Sequence, residues 1–345
     1  MTIETQAPDS IAPDQVAGHR ALAQVRRNRR AKRLEAGTLP LVWLGVIVIF
    51  SILEPDAFFS WSTASSLLAS QTVLVVVTLA LIIPLTTGDF DLSVAAVVGL
   101  SAVTIAILNV ERGWPVGLAI LAALLLGLII GLINGALTVL LGIESLIVTL
   151  GMSTVVAGLT LWISDARTIT GVSQNLIELV IRNRFLGIPL EFYYGLALAA
   201  IIWYVFAYTP VGQRLLVVGR NREVARLSGM RVGALRIGAL AVSSVIAAFG
   251  GVLIVGTSGS AGPATGLDLL LPAFAAAFLG STTIQPGRFN PWGTMIAAYF
   301  LVTGITGLQL IGGRSFVQNL FYGGALIVAV AFSQILKLRR ERRRG

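Results

Sequence analysis

Ten apolar runs separated by short polar segments organise the chain: 39–53, 63–86, 92–110, 115–141, 145–164, 193–208, 237–258, 267–284, 291–311 and 315–336. Within them 66–88, 92–110 and 113–143 carry no charged side chain. An α-helix needs about 20 apolar residues to cross a ~30 Å hydrocarbon layer at ~1.5 Å per residue. The pattern predicts an all-α, polytopic membrane protein of about ten transmembrane helices. Composition agrees: of 345 residues 56% are hydrophobic and 12% charged, with a mean hydropathy of +0.87. Soluble domains run nearer a quarter charged.

Charge position then sets orientation. Of the 41 charged residues, 11 lie in 1–38, 7 in 209–236 and 7 in 337–345. With the N-terminus on the cytoplasmic side, inside segments hold 20 Lys and Arg, and outside segments hold 5, namely Arg112, Arg167, Arg182, Arg184 and Arg314. The positive-inside rule favours that arrangement, with both termini cytoplasmic. Three parts follow: a polar N-terminal tail 1–38, a transmembrane domain 39–336 with a cytoplasmic loop 209–236, and a basic C-terminal tail 337–345. Residues 1–30 have acids and no apolar stretch, so no cleavable leader is expected there. The longest outside segment, 165–192, has room for a small helix.

Several chemistries are excluded. The chain has no cysteine and a single histidine, His19, in the N-terminal tail. Neither a thiolate or His-rich metal site nor histidine acid/base catalysis is expected. Its two lysines, Lys32 and Lys337, do not fall in a G-x-x-x-x-G-K-[ST] loop, so the chain lacks that nucleotide-hydrolysing machinery. Gly256, Gly259 and Gly262 have the wrong spacing for a dinucleotide fingerprint and are read as a helix-end loop. The net charge of +9 sits at the termini and one loop between membrane-length runs. That placement suits anchoring to an anionic leaflet rather than nucleic-acid binding.

Two polar interruptions stand out. Residues Leu85–Ser93 place Asp89 and Asp91 inside an apolar run, where an ionised carboxylate needs protein, water or a partner charge. Asp91 suits a cap on the third helix, or, with Asp89 and Ser93, a part in gating or solute passage. A second break covers Gly280–Arg288 in the other half of the chain. Gly127, Gly131 and Gly135 form a small-residue stripe for close helix packing. Asn134 beside it is either an interhelical hydrogen-bonding group or a wall of a solute path.

Residues 209–236 carry the most information. Asn221 can N-cap a short helix that Gly229 ends. Val224, Leu227 and Met230 would form a small apolar face, with Arg222, Glu223 and Arg226 around it. Such a helix either rests on lipid or docks into a groove on a soluble partner.

The segments LTTGDFDLSV, GLINGALTVLLGIESLIVTLGMSTVVAGL, TPVGQRLLVVGRNREVARLSGMRV and PWGTMIAAYFLVTGITGLQLIG, in that order, resemble the membrane permease of sugar-importing ABC transporters of the ribose/xylose/galactose type. The resemblance covers roughly 40–335. Where that family usually reads T-G-G-I-D-L-S-V-G, this chain has Thr87 to Ala95. Asp91 matches the family aspartate, Asp89 stands in place of a small residue, and Ala95 in place of glycine. The resemblance implies two permease copies, as homodimer or heterodimer, in a bacterial cytoplasmic membrane. It also implies cytoplasmic ATPase subunits that bind the ATP and Mg, and an extracytoplasmic solute-binding protein. It makes 219–230 a coupling helix to the ATPase, carried by Gly219, Asn221, Arg222, Glu223, Val224, Arg226, Leu227 and Gly229.

Two other transport readings stay open on sequence. A secondary transporter would need ion-coordinating groups at midplane, for which Asp89, Asp91 and Glu144 are the candidates. A branched-chain amino-acid permease shares the design with a different solute. An intramembrane enzyme lacks any nucleophile–base pair or metal constellation.

Overall fold

The computed structural model describes residues 37–58 and 60–341. His19, most of the 1–38 tail and the last basic residues lie outside them, as does the expectation about a leader. Among the described residues seven helices are long and apolar enough to cross a membrane: Trp61–Thr87, Val94–Glu111, Val116–Leu140, Ser145–Ile163, Leu190–Tyr208, Val232–Ser258 and Pro291–Leu310. Gly37–Leu53, Leu267–Gly280 and Phe316–Ala331 are shorter apolar helices. The chain is therefore a helical multi-pass membrane protein.

In chain order the helices are α1 (Gly37–Leu53), α2 (Pro55–Phe58), α3 (Trp61–Ser70), α4 (Thr72–Thr87), α5 (Val94–Ala106), α6 (Val116–Leu140) and α7 (Ser145–Ile163). They continue as α8 (Gln174–Ile177), α9 (Leu190–Tyr208), α10 (Pro210–Arg220), α11 (Arg222–Leu227), α12 (Val232–Ser258), α13 (Leu270–Gly280), α14 (Pro291–Leu310) and α15 (Ser315–Glu341). Helix α5 runs on through a π-helical turn, Ile107–Glu111.

Every residue of α4 and of α5 is buried, as expected of helices that are apolar on all sides. Within α4, Thr78 and Thr86 donate to the carbonyls of Leu74 and Ile82 one turn back, both at 2.6 Å, while Ser101 of α5 donates to Ala248 O on α12. Around this pair α12 packs against α6, α4 and α5. Helices α6, α7 and α9 each keep an open apolar face, as with Leu121, Leu125 and Ile129 on α6. That face suits lipid or another apolar helix.

Capping explains the helix boundaries. Thr209 accepts from Gly212 N–H at 3.2 Å ahead of Pro210, and Asn290 from Gly293 N–H at 2.7 Å ahead of Pro291. Gly88 and Gly259, at φ +80° and +64°, end α4 and α12 in the left-handed region that suits glycine.

Three expectations need correction. The 209–236 segment is not a loop with one short helix: α10 fills its first part. Helix α12 also starts at Val232, so Arg236 belongs to a span. Helix α15 continues to Glu341, into the segment read as a C-terminal tail. The 165–192 segment holds, besides α8, short strands β1 (Ile169–Thr170), β2 (Arg184–Phe185) and β3 (Ile188–Pro189). Strand β1 pairs with β4 (Ser260–Ala261) across the bundle, and β2 with β3 in a hairpin. Pairing satisfies backbone groups that leave helices at the span ends.

Candidate functional site

The chain reverses between α4 and α5 through Gly88–Ser93, and this break is where the polar side chains converge. Gly88 N–H bonds Leu85 O at 3.1 Å and Asp89 N–H bonds Pro84 O at 3.0 Å, a Schellman ending. Beyond it the backbone has no helical partners. Helix α7 supplies them: Ser145 Oγ accepts from Phe90 N–H and Thr149 Oγ1 from Leu92 N–H, each at 3.0 Å. Irregular backbone within a membrane bundle persists where protein satisfies it in this way. Thr149→Val should therefore destabilise the fold by about 1–2 kcal/mol, the cost of an unmade buried hydrogen bond. Unfolding in mixed micelles measures it, and a wild-type midpoint would contradict this role.

Asp91, Ser93 and Asn134 come together and are fully buried. Asp91 Oδ1 accepts from Ser93 N–H at 3.1 Å and from Ser93 Oγ at 2.6 Å. Asn134 Nδ2 donates to Ser93 Oγ at 2.9 Å, and Ser243 Oγ of α12 to Asp91 Oδ2 at 3.0 Å. Asp91 thus shapes the turn into α5 and ties it to α6 and α12. The helix's own N-cap position is Ser93, whose side chain makes no cap bond.

Asp89 belongs to a different cluster. Its carboxylate, 1% exposed, takes Arg236 Nε and Nη2 at 2.8 and 2.6 Å. Arg222 Nη2 reaches it at 3.0 Å and also donates to Thr87 O at 2.9 Å. Thr87 Oγ1 lies 3.0 Å from Oδ2. Arg222 comes from α11 and Arg236 from α12, so Asp89 joins the break to the polar helix pair. Arg222 turns inward here, away from the α11 apolar face beside which the sequence placed it.

The α10–α11 pair is seated closely. At Gly219 a Cβ would collide with the Thr86 carbonyl, so α10 meets the end of α4 backbone to backbone. Asn221 Oδ1 accepts from Glu223 and Val224 N–H at 2.9 and 3.1 Å and caps α11. Gly229, at φ +76°, turns the chain after it. Glu223 and Arg226 pair at 2.7 Å on the surface, and Ala225 faces inward. Val224 and Leu227 remain 54% and 79% exposed, an apolar face that none of the described residues covers.

The Gly127, Gly131 and Gly135 stripe lies against α12. A Cβ at these positions would stand 2.7 Å from Ala248 Cβ, 2.6 Å from Ala241 Cα and 2.8 Å from Ile237 Cα. Two apolar clefts of 430 and 560 Å³ border α1, and none of Asp89, Asp91, Ser93 or Asn134 lines either.

Sequence reasoning did not single out Arg236, Ser243, Ser145, Thr149 or Glu191. Arg236 carried a signal, since an ionisable residue inside a span is a functional candidate by default. Assigning it to the loop hid that. Glu191, in the first turn of α9, is 1% exposed, and neither carboxylate oxygen has a hydrogen-bond partner among the described residues. The helix N-terminus offsets part of that cost.

The multi-pass bundle thus encloses a polar break that ion pairs from Asp89 join to α11 and α12. Residues 63–330 match the family described as branched-chain amino acid transport system / permease component, and the chain belongs to that family. Relatives include the ribose import permease of Bacillus subtilis, 34% identical over 83% of this chain and 88% of its own length. The D-allose permease of Escherichia coli is 27% identical over 84% and 89%. An autoinducer 2 import permease of Klebsiella pneumoniae is 30% identical over 77% and 81%.

Proposed function

We propose that the chain is the transmembrane permease subunit of an ATP-driven importer for a sugar or sugar-like solute. The solutes of the relatives, ribose, D-allose and autoinducer 2, support a sugar over a branched-chain amino acid, despite the family's description. The observation that carries the reading is the α10–α11 pair. It is capped and seated on the end of α4, and it offers Val224 and Leu227 as an unpaired apolar face. Such a face suits a groove on a cytoplasmic ATPase subunit. That subunit would bind ATP and Mg, because this chain has no phosphate-binding lysine loop.

In this reading the membrane is the bacterial cytoplasmic membrane, with about ten spans and both termini inside. A second permease copy completes the path, and an extracytoplasmic binding protein delivers solute. Closure of the ATPases favours one arrangement of the permease pair over the other, and only such a difference in affinity can drive the switch. Asp89, Asp91, Ser93 and Asn134 then act in gating, since all are buried within one copy. They hold the break to α6, α11 and α12.

Co-purification from native membranes tests the assembly: an ATPase and a sugar-binding protein should remain bound. In reconstituted vesicles Glu223→Ala with Arg226→Ala should lower ATP-driven uptake at least about tenfold, equivalent to ~1.4 kcal/mol of coupling. The fold should be unchanged, since exposed pairs contribute about 1 kcal/mol or less. A permease that purifies alone and transports on an ion gradient without ATP would favour the secondary-transporter reading.

A further inference from the structure

At the end of the bundle opposite α10–α11, the β2–β3 hairpin closes through Leu186 and Gly187, at φ +52° and +79°. A two-residue turn with both central residues left-handed favours Asn or Gly at its first position. This one holds a leucine that is 74% exposed, next to Phe185 at 57%. A strained turn that displays an apolar side chain suggests use rather than packing.

Its level is fixed from both sides. Strand β3 ends at Pro189 and α9 begins at Leu190, so the hairpin sits where a span meets the interface. On the other side, a Cβ on Gly187 would lie 2.8 Å from Trp61 Nε1 at the start of α3, and Ser65 Oγ donates to Gly187 O at 2.8 Å. Exposed Trp114 and Trp162, before α6 and near the end of α7, lie at this same end of the bundle. Tryptophans of this kind mark the boundary between hydrocarbon and water. Tyr193 holds the hairpin down, its hydroxyl donating to Phe185 O at 2.9 Å and its ring edge-on to Phe185 at 5.4 Å. Arg184 extends from the hairpin, exposed and without an ion pair among the described residues, a charge suited to a lipid phosphate.

We propose that the Arg184–Pro189 hairpin is a lipid anchor: Phe185 and Leu186 insert into the interfacial layer of the bilayer, and Arg184 pairs with phospholipid headgroups. The proposal rests only on the membrane-spanning character of the chain, and transport plays no part in its readout.

Because the chain has no cysteine, one bimane label can be placed at will. Leu186→Cys and, separately, Phe185→Cys are labelled in vesicles of phosphatidylethanolamine and phosphatidylglycerol. Leu118→Cys, on the open face of α6, sets the scale for lipid contact. Both hairpin labels should lose most of their fluorescence to nitroxide lipids and little to aqueous iodide. Leu186→Asn suits the left-handed turn and keeps the hairpin, yet it should move the Phe185 label from lipid to iodide quenching. Quenching by iodide rather than nitroxide lipid at either position overturns the anchor. If the extracytoplasmic binding protein then shields the label from iodide, the surface belongs to a protein partner instead.

Discussion

Asp89→Ala should destabilise the folded chain by about 3–4 kcal/mol, the range for removing one partner of a buried ion pair. Arg236 is the side chain left stranded, since it is 16% exposed and donates to Asp89 twice. Arg222, at 42% exposed, regains water and adds less. The two guanidiniums would then face each other across the vacated site. Because they come from α11 and α12, the expected damage is local to the join between the break and the helix pair. Unfolding in mixed micelles gives the loss, and limited proteolysis should show earlier cutting around 220–231. Asp89→Asn keeps the shape without the charge and should fall between wild type and alanine. A loss below about 1 kcal/mol for alanine would mean that the cluster is solvated and holds nothing.

Gly131→Leu should be of similar size, about 3 kcal/mol, at the upper end of overpacking costs. The side chain would have to displace backbone, since Ala241 Cα and Leu240 O lie 2.6 and 2.7 Å from its first carbon. Helix α12 cannot retreat without also leaving α5, because a Cβ at Gly251 would meet Val98 O and Ser101 donates to Ala248 O at 2.7 Å. Gly117→Ala in the same helix is the control, with nothing within 4 Å of the new carbon. It should be neutral or raise stability by up to about 1 kcal/mol through helix propensity. Equal behaviour of the two variants would remove α6 from close contact with α12.

The Glu144 that sequence reasoning kept as an ion-coupling candidate caps α7 by position only, without a side-chain bond to the helix. It does not join either buried cluster. Among the described residues no group of three or more metal-ligating side chains comes together.

The helical, multi-pass character and the position of the break were legible in the sequence because each follows from local chemistry. Apolar runs longer than a bilayer must be helical to satisfy their backbone. A Gly-Asp-Phe-Asp segment cannot stay in such a run, and Asn221 followed by a short amphipathic stretch caps itself. The α10 helix was missed because Gly212 and Gly219 lower its intrinsic propensity. Its two glycines are tertiary requirements, since a Cβ at Gly212 would collide with Val205 O and one at Gly219 with Thr86 O.

What the tertiary structure alone decided is the partnership of charges. Asp89 and Asp91 are two residues apart and read as a pair, yet their carboxylates serve different clusters. Asp89 reaches arginines 133 and 147 positions away, and Asp91 a serine 152 positions away. No local rule selects among distant donors. Which one arrives depends on how α10 and α12 pack on α4, and for α10 that packing is a backbone approach of Gly219 to Thr86 O.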